Sequence, residues 1–121
     1  MLNNKILVID DEPDFIDAVK ARLEAVGYVI IAANDGREGL ERALKELPGL
    51  ILLDLVMPRS NGFEALSLLK TDPATVHIPV VVTSAKGDQE YVLDARKFGA
   101  ADFIVKPVSM QALVECVKKY L

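Results

Sequence analysis

The sequence predicts a doubly wound α/β domain, a five-stranded parallel sheet with helices on both faces. Three observations carry the prediction: short apolar runs rich in β-branched residues recur along the chain, segments of helical period separate them, and the connections are short. The runs are Lys5 to Asp10 (KILVID), Tyr28 to Ala33 (YVIIAA), Leu50 to Asp54 (LILLD), Val80 to Ser84 (VVVTS) and Asp102 to Val105 (DFIV). Their apolarity is continuous rather than alternating, which suits strands buried on both faces. Right-handed crossovers between such strands give a parallel sheet with helices above and below it.

Each helix has its own pattern. Phe15, Ile16, Val19, Leu23 and Val26 form the first apolar stripe, and Leu40, Ala43, Leu44 and Leu47 the second. Phe63, Leu66 and Leu69 follow, then Tyr91, Val92, Ala95 and Phe98, and finally Leu113, Val114, Val117 and Leu121. Pro13 suits the first turn of a helix, Asp35 with Glu38 has the form of a capping box, and Ser109 is placed to cap the last helix. Gly27, Gly49 and Gly99 fall where helices are expected to stop.

At 121 residues, 51% of them hydrophobic, the chain is sized for one ordered domain over residues 1–121. The formal charge is -4 and no basic cluster stands out, so direct nucleic-acid binding by this domain is disfavoured. With a single cysteine, Cys116, no internal disulfide is available, and that thiol is expected in the core. No signal peptide or spanning apolar run is visible, which gives the expectation of a cytoplasmic protein without a membrane partner. His77 is expected to be exposed rather than a ligand, and Tyr91 and Tyr120 to pack with their rings half buried.

In open α/β sheets, ligands bind outside the carboxyl ends of the strands, where strand order reverses. The first strand ends in Asp10 and Asp11, the third in Asp54 and the fourth in Thr83 and Ser84, while the fifth runs into Lys106 and Pro107. Singly, each has an ordinary structural explanation: helix caps, a turn residue, a surface lysine. Together, three carboxylates held in a small volume are unfavourable unless a cation sits among them. Hard oxygen donors of this kind suit Mg²⁺, which leaves positions open for phosphate oxygens, and the lysine complements phosphate.

The motifs VIDDEP, LLDLVMPRSNG, VVTSAK and FIVKP resemble, in order and spacing and over essentially the whole chain, the receiver domain of bacterial two-component response regulators. The resemblance implies a flavodoxin-like fold with strand order 2-1-3-4-5. It implies that Asp54 is the phosphoacceptor, that Asp10, Asp11, Asp54 and the backbone carbonyl of Val56 hold Mg²⁺, and that Lys106 contacts the phosphoryl group. It further implies a cis peptide before Pro107 and a switch pair, Ser84 and Phe103. Thr83 and Ser84 compete for the hydroxyl role; Ser84, followed by the small Ala85, fits the family pattern, and the period of two lets only one of them face the site.

The implied function is a phosphorylation-dependent signalling switch of a phosphorelay. A sensor histidine kinase or histidine phosphotransfer protein would supply the phosphoryl group. The face made by the fourth helix, fifth strand and fifth helix would then control a downstream effector or output domain, and a phosphorylation-dependent homodimer is a further partner left open. Such a chain is not an enzyme beyond its own phosphorylation and dephosphorylation, and it would be either a stand-alone regulator or the amino-terminal part of a longer protein. Met57 and Pro58 are expected to shape the loop after Asp54, Gly62 to allow the turn into the third helix, and Val56 to affect water access.

Other readings are weaker. A nucleotide- or flavin-binding module needs a Gly-rich phosphate cradle, yet DDEP follows the first strand, and Gly36 and Gly39 do not make the fingerprint. An aspartyl phosphatase would show Asp-x-Asp, whereas Leu55 and Val56 follow Asp54. A degenerate receiver kept only as an interaction module is the remaining rival, against which stands the presence of every site group.

Overall fold

The structure is a computed structural model, and it describes residues 3–57 and 60–121. Strands β1 (Lys5–Ile9), β2 (Val29–Ala33), β3 (Leu50–Asp54), β4 (Val80–Ser84) and β5 (Asp102–Val105) alternate with helices α1 (Pro13–Ala25), α2 (Gly36–Glu46), α3 (Gly62–Thr71), α4 (Gln89–Lys97) and α5 (Met110–Tyr120). All neighbouring strands pair in parallel, in the spatial order β2-β1-β3-β4-β5. The expected architecture and strand order are therefore what the chain forms.

The continuous apolarity of the strands has a direct structural counterpart. Leu7, Ile9, Ile51, Leu53, Val80 and Val82 pack on one face with Ala43 of α2, Leu66 and Leu69 of α3 and Ala95 of α4. The residues between them, Ile6, Val8, Leu50, Leu52 and Val81, pack on the other face with Ile16, Val19 and Leu23 of α1 and Leu113, Val114 and Val117 of α5. Alternate side chains enter opposite apolar layers, so the interior positions of the central strands are apolar on both faces. The fully buried polar side chains of the strands, Asp54, Thr83 and Ser84, come only at their carboxyl ends, which fixes where chemistry sits.

Helix boundaries follow the expected signals with instructive exceptions. Pro13 opens α1, Ser109 Oγ accepts the Ala112 N–H at 3.3 Å, and Asp35 accepts the Glu38 N–H at 2.8 Å. The Glu38 carboxylate reaches back one residue further than in a standard capping box, accepting the Asn34 N–H at 2.8 Å. Gly27 and Gly99 take positive φ angles after α1 and α4 as expected, but α2 is closed by Leu47, left-handed at φ 46°, and not by Gly49. The Asn3 side chain donates to the Leu47 carbonyl at 2.8 Å and helps hold this conformation. Gly49 is required instead by proximity: a Cβ there would lie 2.6 Å from the Asn3 carbonyl oxygen.

Between β3 and α3 the chain forms a two-residue antiparallel ladder, Val56–Met57 with Ser60–Asn61. It is too short for any periodicity to announce it. Asn61 then caps α3, accepting from the Phe63 and Glu64 N–H groups at 3.1 and 3.3 Å. Met57 is buried in the α3-side core, while Pro58 lies outside the described residues. Gly62 serves close approach rather than a turn, since a Cβ on it would sit 2.3 Å from the Leu55 Cα. Among the described residues no helix is long and apolar enough to cross a membrane.

Backbone cannot move aside as a flexible side chain would. Gly62→Ala is therefore expected to cost about 1–3 kcal/mol, the ordinary range for overpacking, with the urea midpoint falling and the slope unchanged.

Candidate functional site

Parallel pairing brings the carboxyl ends of β1, β3, β4 and β5 to one edge, and the residues following them meet there. Asp10 is fully buried and Asp54 is 3% exposed. Their carboxylates are held from below by the chain's own turns, Asp10 Oδ1 accepting the Glu12 N–H and Asp54 Oδ1 the Val56 N–H, each at 2.9 Å. The second oxygen of each faces Lys106.

Lys106 reaches into the centre of this group from the end of β5. Its Nζ donates to Asp10 Oδ2 at 2.8 Å, to Glu12 Oε1 at 2.7 Å and to Asp54 Oδ2 at 3.2 Å. The side chain is 12% exposed, and the ammonium also lies 4.4 Å from the Phe15 ring centroid. Its backbone N–H donates to the Ser84 carbonyl at 2.8 Å, and the peptide to Pro107 is cis, as the motif implied. The cation that the acidic cluster requires is thus supplied, in this structure, by the chain itself.

Burial pushes Asp10 and Asp54 above the ordinary carboxylate value, because desolvation of the charged form outweighs the neighbouring ammonium and the backbone N–H groups. Lys106 is pushed up despite its own desolvation, through hydrogen bonds to Asp10 and Glu12 and the charges of Asp10 and Asp54. The lysine thus keeps its charge across the neutral range, with the carboxylates bearing the desolvation penalty.

Asp11 is exposed at the rim, and Val56 is 41% exposed beside Asp54. Carboxylate oxygens of Asp10, Asp11, Glu12 and Asp54 all lie within 4.8 Å of one another. The set is entirely hard oxygen, which fits a small divalent cation. Glu12 was given no role by the sequence reading. Its only signal was adjacency to the Asp10–Asp11 pair in DDEP, and the contact that reveals it spans 94 residues of chain.

Thr83 and Ser84 are both buried, so exposure does not separate them. Facing does. Thr83 follows the register of Val81 toward the α1 and α5 layer, whereas Ser84 shares the face of Val82 and Phe103 toward α4. Ser84 Oγ accepts the Lys86 N–H at 3.2 Å. Phe103 is half buried, its ring edge-on to Tyr91 at 6.2 Å. His77 is exposed, and Cys116 is half buried against the α1 and α5 layer, both away from this edge.

With that geometry in view, the comparisons with known proteins are decisive. A model of the response regulator receiver domain matches residues 6–118. This chain belongs to the response regulator receiver domain family. Protein PilH of Pseudomonas aeruginosa is 33% identical over 117 residues, covering 97% of both chains. The phosphate regulon transcriptional regulatory protein PhoB of the same species is 34% identical over 121 residues, all of this chain but 53% of PhoB. Among solved structures, the chemotaxis protein CheY4 of Vibrio cholerae superposes with a TM-score of 0.93 at 27% identity, covering 99% of this chain and 100% of CheY4. The receiver domain is a phosphorylation-dependent switch of two-component signalling, and the fold and acidic edge found here are those of that class.

The raised carboxylates set the pH dependence of the metal-free receiver. A folded-state pKa above the unfolded value of 3.8 means stability is fully present below that value and is lost as pH rises through the folded value. Lys106 stays charged throughout this window and adds no slope there. Asp54→Asn is therefore expected to leave the metal-free protein at least as stable as wild type near neutrality, by up to about 1 kcal/mol, and to flatten the decline. Urea midpoints from about pH 4 to about pH 7 check both points.

Proposed function

We propose that this receiver domain accepts a phosphoryl group on Asp54 from the phosphohistidine of a sensor histidine kinase or histidine phosphotransfer protein. The phosphorylated form then shifts the face made by α4, β5 and α5 to control a downstream effector or output domain. The observation that carries the reading is the Lys106 ammonium, set among three carboxylates of which Asp54 makes the longest contact, 3.2 Å against 2.7 and 2.8 Å. The oxygen that would attack phosphorus is thus the one held least tightly.

Asp54 Oδ2 attacks in line as the imidazole leaves, giving an acyl phosphate. The Val56 N–H continues to hold Oδ1, which keeps the carboxylate oriented for attack. Lys106 moves from Glu12 and Asp10 onto the phosphoryl oxygens, where it stabilises the charge developing on them. Mg²⁺, held by Asp10, Asp11, Asp54 and the Val56 carbonyl with Glu12 at hand, would supply the remaining charge neutralisation. Asp10, Asp11, Glu12 and Asp54 would hold a divalent cation, which would offset the acids' charge when Lys106 turns to the phosphoryl oxygens.

Hydrolysis of the acyl phosphate resets the switch. The exposed Val56 side chain stands beside Asp54 and presents an apolar surface to approaching water. The chemistry is confined to the domain's own aspartate, with no separate substrate turned over. The long-chain relatives such as PhoB and the DNA-binding regulator RpaA of Synechocystis are about twice this length, whereas PilH is not.

Incubation with acetyl phosphate and Mg²⁺ is expected to add one phosphoryl group, labile to hydroxylamine and visible by intact mass. Asp54→Ala abolishes it, and undiminished labelling of that variant would remove the assignment. Lys106→Ala slows labelling by about a hundredfold, the usual consequence of losing one charge-stabilising donor.

A further inference from the structure

Glu12 stands at the start of α1, where the helix makes no use of its side chain. It precedes Pro13, which has no N–H to be capped, and its carboxylate forms no capping hydrogen bond. Its backbone is fixed on both sides, the N–H donating to Asp10 Oδ1 at 2.9 Å and the carbonyl accepting the Ile16 N–H at 3.1 Å. The carboxylate is left to cross to Lys106, which it meets at 2.7 Å, the shortest of the ammonium's three contacts. Phe15, three residues on, lies with its ring centroid 4.4 Å from the same ammonium. The first turn of α1 thus offers Lys106 a carboxylate and a ring.

An ammonium has three N–H donors, and here each has one carboxylate. The three partners are unequal. The Asp10 side chain is fully buried and that of Asp54 is 4% exposed, whereas that of Glu12 is 60% exposed at the rim. Glu12 pulls from outside and the aspartates from inside, and the contact left longest is the one to Asp54, at 3.2 Å. Attraction to a buried carboxylate is stronger than to one in water, so without Glu12 the ammonium settles inward on Asp10 and Asp54. A lysine closed on Asp54 occupies the oxygen that a cation or a phosphorus atom must reach.

We propose that Glu12 is a positioning residue for Lys106: it draws the ammonium toward the rim and so keeps Asp54 Oδ2 open to a divalent cation and to phosphorus in the unmodified protein. This rests on the reading of Asp54 as phosphoacceptor and adds to it the residue that frees the acceptor. Glu12 also lies within reach of a cation held by Asp10, Asp11 and Asp54, and would attract it directly. The two effects differ in one respect: only the hold on Lys106 vanishes when the lysine is gone.

A double-mutant cycle separates them. Mg²⁺ is titrated calorimetrically into the metal-free wild type, Glu12→Ala, Lys106→Met and the double variant. Glu12→Ala is expected to weaken Mg²⁺ binding, and the drop should be about fivefold larger with Lys106 present than in the Lys106→Met background, an ordinary coupling within one ion cluster. Initial labelling by acetyl phosphate, read by intact mass, should slow in Glu12→Ala at limiting Mg²⁺ and return to the wild-type rate at saturating Mg²⁺, because the cation then wins Asp54 from the lysine. Equal drops in the two backgrounds, no drop with Lys106 present, or a labelling deficit that saturating Mg²⁺ does not relieve overturns this inference and leaves the acceptor assignment standing. A wild type that takes up no phosphoryl group overturns the acceptor assignment and this inference with it.

Discussion

The Lys106 ammonium is the contact on which the functional edge depends. Two carboxylates buried at the ends of β1 and β3 would be costly to keep charged alone, and burial does raise both. One cation within 3.2 Å of Asp10, Glu12 and Asp54 keeps them together without an added ion. The arrangement is also replaceable, because what the lysine offers the acids a divalent cation offers too, and what it gains from them a phosphoryl group supplies. An ion cluster whose members have exchangeable partners is suited to a switch, where each state must be stable and neither permanent.

That cluster sits where it does because of the sheet. The central strands are covered on both faces, with α2, α3 and α4 on one side and α1 and α5 on the other, so their interior positions are apolar. The edge at the carboxyl ends is the first place where backbone turns can hold charged groups and water can still reach them. Asp54 marks that boundary: it ends a strand buried along its whole length, and the next residues turn at once into the Val56–Met57 ladder. The close approach of Gly62 to Leu55 holds that turn against α3, so the loop carrying Asp54 is packed and not merely tethered.

The second element of the edge is neutral. Phe103, Tyr91 and Phe63 form a chain of ring contacts from β5 through α4 to α3, and Ser84 lies on the same face of the sheet as Phe103. Aromatic edge contacts of this kind are geometrically selective while costing little to shift by a small angle. The helix that borders the proposed output face is thus packed through rings onto both β5 and α3.

The sequence by itself determined the layered fold, the strand limits to within a residue, the Asp35 and Ser109 helix caps and the acids at the strand ends, because each is written in local periodicity or in one or two adjacent residues. Leu47 escaped it, since a left-handed leucine is held by Asn3, a tertiary neighbour 44 residues away. Glu12 escaped for the same reason: it resembles any exposed glutamate at a helix start until Lys106, 94 residues on, reaches it. Ser84 was distinguished from Thr83 by a motif, yet the face it takes was decided by pairing with β5, and Tyr91 was legible as a half-buried stripe residue while its ring partners Phe63 and Phe103 were not. What lies within one turn or one strand is fixed by backbone geometry and side-chain period; what lies between strand ends is fixed by how the sheet aligns them, and only the folded chain contains that distance.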